Sequence, residues 1–142
     1  MSIDDAFDIS VSAINAKRLQ MEIISSNLAN IDSTRSVDGG PYSRRVPIFA
    51  ERPLSFDEEL DRAQKKAGGG VEVVAVVEDK TPFQKIYNPG HPDADDEGFV
   101  SLPNVSMSKE MVDLVYASKI YEANITAFNI TKKMAQDTLQ IP

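Results

Sequence analysis

Two seven-residue apolar ladders, one at each end of the chain, constrain the fold more than any other feature. Phe7, Ile14, Met21 and Leu28 make the first; Met107, Leu114, Tyr121 and Phe128 make the second. Seven residues is about two α-helical turns, so each ladder projects along one side of its own helix. Ile3, Ile24 and Ile31 reinforce the first, and Met111 and Ile125 the second. Neither helical segment contains an internal Pro or Gly. Long terminal stripes of this kind pack against other helices rather than line a cleft.

The first helix is expected to start at Ser2, whose hydroxyl can cap free N–H groups, with Asp4 and Asp5 favoured in the first turn by the helix dipole. It runs to about Asn30, roughly 40 Å at 1.5 Å per residue, and Asn30 to Thr34 reads as a stop and turn. The second helix starts near Ser106 or Ser108 and ends near Leu139. Between them, Ser36 to Pro41 reads as loop. Arg44 to Glu51 reads as an edge strand because Pro47 cannot donate to a central ladder. Asp57 to Lys66 suits a short polar helix, and Gly68 to Gly70 a flexible hinge. Val71 to Val77 is the strongest strand. Phe83 to Tyr87 is its expected partner across the Lys80-Thr81-Pro82 turn, and Asn88 to Asn104 is expected to be ordered loop.

The predicted class is α+β: long N- and C-terminal helices packed as an antiparallel coiled-coil pair, with a small β-rich domain inserted. The divisions fall at 1–34, 35–104 and 105–142. The stripes fit two arrangements equally, a hairpin sharing its core with the insert or helices that seek equivalents on neighbouring copies.

Charge narrows the partners. The chain of 142 residues carries a formal charge of −7, which disfavours nucleic acid, since no basic patch can neutralise several phosphates. Segment 1–34 holds 2 basic and 5 acidic residues, segment 35–104 holds 9 and 13, and segment 105–142 holds 4 and 4. The terminal helices therefore do not repel one another strongly. Cysteine is absent, which removes disulfides, thiolate metal sites and Cys nucleophiles. Asp4, Asp5 and Asp8 stand where a secretory signal needs lysines. Lys17, Arg18 and Glu22 interrupt any membrane span, so no direct membrane insertion is expected.

Candidate chemistry is sparse, and no catalytic, cofactor or metal residues are assigned. Asp93, Asp95 and Glu97-Gly98 imitate the start of a calcium loop, but position twelve is Asn104 rather than a bidentate acid, so a solvated acidic turn is expected. His91, the single histidine, lies between Pro89 and Pro92 and is expected to fix a turn. Asn27 and Asn124 sit beside strongly apolar residues. A buried Asn in such a seam costs stability but fixes register, whereas an exposed one does nothing of the kind.

Three separated segments together resemble the flagellar basal-body rod and hook proteins. The first, Ser25 to Thr34, holds Asn27, Ala29, Asn30 and Thr34 of the signature that ends the N-terminal helix. The second holds Tyr87, Pro89, His91, Pro92, Asp93 and Asp95, then Gly98, Pro103 and Asn104, and is similar to the proximal-rod branch. The third, Glu110 to Leu114 with Tyr121, Ala123 and Asn124, is similar to the C-terminal helix signature. Tyr42, Arg44 and Phe49 match more weakly, and 57–70 matches no shared motif.

The resemblance implies a structural subunit without enzymatic activity or cofactor. Such subunits pass unfolded through the flagellar type III export apparatus with no cleaved signal and form a helical drive shaft across the periplasm. The implied partners are the chain itself, other proximal and distal rod proteins and the export-gate adaptor. The expected assembly residues are Phe7, Ile14, Met21, Leu28, Met107, Met111, Leu114, Tyr121, Ile125 and Phe128. The rival reading is a cytoplasmic helical-hairpin adaptor that binds a partner helix through the same stripes.

Overall fold

A computed structural model of the chain describes residues 3–36, 39–52 and 69–139. The fold is α+β. Helix α1 spans Ile3–Ala29 and helix α2 spans Met107–Leu139. Between them lie strands β1 (Arg45–Glu51), β2 (Val71–Glu78), β3 (Gln84–Tyr87) and β4 (Phe99–Leu102). The expected Ser2 cap and the 57–66 helix lie outside the described residues.

The helices run antiparallel. Near one end Phe7 meets Phe128 edge-to-face, with ring centroids 5.0 Å apart. Near the other, Asn27 bonds Glu110. Asn30 ends α1 through its own side chain: its amide donates to the Ser26 carbonyl at 2.8 Å and its oxygen accepts from Ser33 Oγ at 3.1 Å. Orphan carbonyls at a helix end are thereby satisfied locally.

The face of α2 turned toward α1 follows a four-three spacing: Glu110, Leu114, Ala117, Tyr121, Asn124, Phe128, Thr131 and Ala135 are all buried or half-buried. That is a heptad seam. On α1, Phe7, Ser10, Ile14, Met21, Ile24 and Leu28 are likewise withdrawn from solvent. Met107 and Met111 are 54% and 55% exposed in the single chain, so neither packs on α1. Met107 opens the helix before the seam begins, and Met111 sits one position past the seam residue Glu110, which turns it away from α1.

The strand pairing also differs from expectation. Strand β2 pairs antiparallel with β1, not with β3, in a register running from Arg45↔Glu78 to Glu51↔Val71. Strand β3 pairs instead with β4 inside the segment expected to be loop, from Gln84↔Leu102 to Tyr87↔Phe99. Among the described residues each sheet has two strands, so each strand is an edge there, and Pro47 in β1 removes no essential ladder bond. The register of β1 shifts between Ile48 and Phe49, next to this proline.

Gly70 is a close-approach position rather than a free hinge. Its φ is +87°, and an added Cβ would lie 2.4 Å from Ser12 Oγ of α1. That hydroxyl accepts the Val71 N–H at 3.1 Å and donates to the Ile9 carbonyl. The start of β2 is thus held against the middle of α1. Its far half, with Val74, Val76 and Val77 exposed, stands clear of the helices.

Candidate functional site: a buried polar knot and an open helix face

Where α1 ends and α2 begins, the apolar seam gives way to a polar cluster. Asn27 is 1% exposed and Glu110 0%. Buried polar groups of this kind are tolerated only when fully hydrogen-bonded. Asn27 meets that requirement with four bonds. Its Nδ2 donates to the Arg45 carbonyl at 2.9 Å and to Glu110 Oε2 at 3.0 Å. Its Oδ1 accepts the Tyr42 hydroxyl and the Arg45 N–H, both at 2.9 Å. One side chain therefore ties α1 to the start of β1 and to α2.

Glu110 completes the knot through its other oxygen, which accepts from Arg44 Nε at 2.6 Å. The Arg44 guanidinium also lies 3.4 Å from Asp113 and 3.5 Å from Asp79. Asn104 closes the circuit from the other side. Its Oδ1 accepts the Arg44 N–H at 2.7 Å, and its Nδ2 donates to the Asp79 and Thr81 carbonyls at 2.9 and 3.0 Å. The Thr81 hydroxyl and N–H, followed by Arg44, hold the Asp79 carboxyl below the usual carboxylate range. Tyr42, Val100, Pro103 and Val105 are buried around this cluster.

The loop between β3 and β4 is joined to the segment after α1. Asp93 accepts the Thr34 hydroxyl at 2.8 Å and pairs with Arg35. The Thr34 bond, and then Arg35, hold the Asp93 carboxyl below its ordinary value. His91 Nδ1 accepts the Asp93 N–H at 3.1 Å, and Asp95 Oδ1 accepts the N–H groups of Glu97 and Phe99. Asp93 and Asp95 are thus occupied with building the turn, and no group of three or more metal-type side chains occurs among the described residues. Gly98, at φ +82°, lets Tyr87 and Pro89 close over it. Tyr87 in turn stacks edge-on against Phe99 at 5.4 Å.

The motif residues therefore come together in two groups. Asn27 and Asn104 join the knot with buried Pro103 beside them, and Thr34 joins the 88–98 turn. Ala29 and Ala123 are exposed. Asn124 is half-buried on the seam, and its amide donates to the Ile120 carbonyl of its own helix at 2.8 Å. Glu110 and Arg44 carry more of the knot than sequence reading assigned them. An acid at the first position of an otherwise small or apolar four-three row is the signal that marks Glu110.

The opposite side of α2 also carries exposed apolar side chains, interrupted by the Lys119–Glu122 ion pair. Val112, Tyr116, Ile130 and Met134 are exposed, with Val115 beside them. Ala123 and Ala127 continue the row. Residues at this spacing share one side of a helix. A helix that is apolar on both sides, with one side covered by its own chain, belongs to a subunit that packs into something larger.

Comparison with known proteins agrees with that class. Residues 7–35 match the family model described as flagella basal body rod protein, and residues 96–141 match flagellar basal body rod FlgEFG protein C-terminal. The flagellar basal-body rod protein FlgC of Bacillus subtilis is 42% identical, with 99% of both chains covered. Those of Borreliella burgdorferi and Salmonella typhimurium are each 38% identical, covering 99% of this chain and 98% of theirs. The chain belongs to the FlgC family of flagellar basal-body rod proteins. It is a structural subunit of the basal-body rod.

Proposed function

We propose that the chain works by assembly alone, without catalysis, as a proximal-rod subunit stacked helically into the shaft that carries torque around the export channel. The terminal segments 1–34 and 105–142 form the packed core of that shaft, and 35–104 forms the insert outside it. Its partners are further copies, other proximal and distal rod proteins and the export-gate adaptor. The flagellar type III apparatus delivers it, without a cleaved signal, to a rod spanning the periplasm.

The observation that carries this reading is the second apolar face of α2. The first face is consumed by α1 within the same chain, so the row from Val112 to Met134 is available only to neighbours. Each large apolar side chain buried there contributes about 1.5–3 kcal/mol, so a row of five is ample to drive stacking. Ile130→Asp tests this without touching the seam. The variant is expected to keep its helicity and to be exported, yet to leave cells without hook–basal bodies. Normal motility in the variant would remove the reading.

A further inference from the structure

His91 is the chain's single histidine, and its place between β3 and β4 fixes which ring nitrogen carries the proton. The Asp93 N–H donates to His91 Nδ1 at 3.1 Å. Only an unprotonated nitrogen can accept, so the ring is neutral in this arrangement and its proton sits on Nε2. The backbone holds the pair in place: the His91 N–H donates to the Asn88 carbonyl at 3.1 Å, and the Ala94 N–H to the His91 carbonyl at 3.0 Å. His91 thus does with Nδ1 what an Asx turn does with a side-chain oxygen. The Asp93 carboxyl has a second duty. Its Oδ2 accepts the Thr34 hydroxyl at 2.8 Å, and its Oδ1 pairs with Arg35. A cleft of about 410 Å³ opens between these segments, lined by Thr34, Arg35, Pro41, Pro92, Asp93 and Phe99. The carboxyl therefore spans a gap rather than a packed interface.

We propose that His91 is a proton-operated catch on the strap between the 88–98 turn and the segment that leaves α1. A charged imidazole carries hydrogen on both nitrogens, so Nδ1 then confronts the Asp93 N–H, donor against donor. The nearest acceptor in the turn for the new proton is Asp93 Oδ2, 4.0 Å from Nδ1. A charge-assisted hydrogen bond needs ring and carboxyl to close by about 1 Å. That movement draws on the oxygen that holds Thr34. Two arrangements exclude each other: neutral His91 with the strap shut, or charged His91 on Asp93 with the strap loosened. Imidazole is the side chain that changes charge between about pH 5 and 8. Across that range the Asp93 carboxyl stays ionised, because Thr34 and then Arg35 hold it below its ordinary value. Arg35 faces the same carboxyl from the segment after α1, so a charged His91 competes with a fixed cation. Asp95, Asp96 and Glu97, further along the turn, are exposed, and Asp95 is committed to the Glu97 and Phe99 N–H groups.

A single imidazole makes the signals unambiguous. Nitrogen NMR of the isotope-labelled full chain is recorded from pH 8 to pH 5. It reads both ring nitrogens and the exchange protection of the Asp93 amide, corrected for the intrinsic pH dependence of exchange. At pH 8 the ring is expected as the Nε2–H tautomer with a protected Asp93 amide. As His91 charges, that protection is expected to fall about fivefold, the equivalent of one lost hydrogen bond, and the Thr34 methyl signal to move with the same midpoint. The opposite tautomer at pH 8, a ring that stays neutral down to pH 5, or protection that holds while the ring titrates would each overturn the proposal. His91→Asn supplies the control. Its side-chain oxygen accepts the Asp93 N–H at every pH in the range, so the pH step in protection and in the Thr34 signal is expected to vanish. A step that persists in this variant belongs to another group, which would also overturn the catch. Should His91→Asn not fold, the spectra of the unaltered chain decide alone.

Discussion

Glu110→Gln is nearly isosteric, yet the geometry of the knot makes it costly. The glutamine oxygen can still accept from Arg44, but its amide then faces Asn27 Nδ2, placing two donors where 3.0 Å now separates donor from acceptor. Turning the glutamine over presents the amide to Arg44 instead. Turning Asn27 over presents its amide to the Tyr42 hydroxyl and the Arg45 N–H, which its oxygen now accepts. Every arrangement leaves at least one buried donor unmatched, at about 1–3 kcal/mol. Loss of charge assistance in the Arg44 bond adds about 1 kcal/mol. Asp113 and Asp79 remain near the guanidinium, so the cost stays below the 3–5 kcal/mol typical of a stranded buried charge. A destabilisation of about 3 kcal/mol is expected from these terms together. Urea unfolding followed by helical circular dichroism would read it as a lower midpoint at unchanged slope. A loss below about 1 kcal/mol would refute the reasoning, since Asn27 and Glu110 would then not be coupled as their geometry requires.

Two further substitutions probe separate joints. Gly70→Ala should destabilise by about 2 kcal/mol or more, because it combines a left-handed backbone with a clash against Ser12. Gly39→Ala, at φ +77° with open space around it, should cost only the backbone part of about 1 kcal/mol, and the difference between the two reports the α1–β2 joint. Asp93→Asn should flatten the acid limb of the stability profile. The folded Asp93 carboxyl titrates below its unfolded value, so its contribution is complete above a pH of about 4 and is lost as pH falls through the folded value. Stability measured from pH 6 down to pH 2 should fall less steeply in the variant, and parallel curves would contradict the role given to the Thr34 and Arg35 contacts.

Much of this architecture is legible in the sequence for a definable reason. The helices are long and lack Pro and Gly, and α1 carries acids in its first turn and its stop at Asn30, so their extent follows from nearby residues. For Asn27 the sequence leaves a buried tie and simple exposure both open; the structure buries it with four hydrogen bonds. The sheets were not legible. Strand β2 finds its partner across 19 intervening residues, and local propensity favours the nearer segment at Phe83 to Tyr87. Strand β4 has four residues and follows a turn rich in Pro, Gly and Asp that masks it. The turn makes the strand: Asp95 caps it and Gly98 supplies the positive φ that brings Phe99 beside Tyr87. The knot was hidden because its members come from five separated segments, and only folding reveals that Arg44, Asn104 and Glu110 share a centre with Asn27.

The most direct test concerns the outer face of α2. Tyr116→Cys introduces a lone thiol on the row that the structure leaves exposed. Its rate of maleimide labelling is measured on the free chain and on intact basal bodies. The account predicts rapid labelling of the free chain and strong protection in the basal body. Equal labelling in both would show that this face meets nothing in the rod, and would contradict assembly through α2.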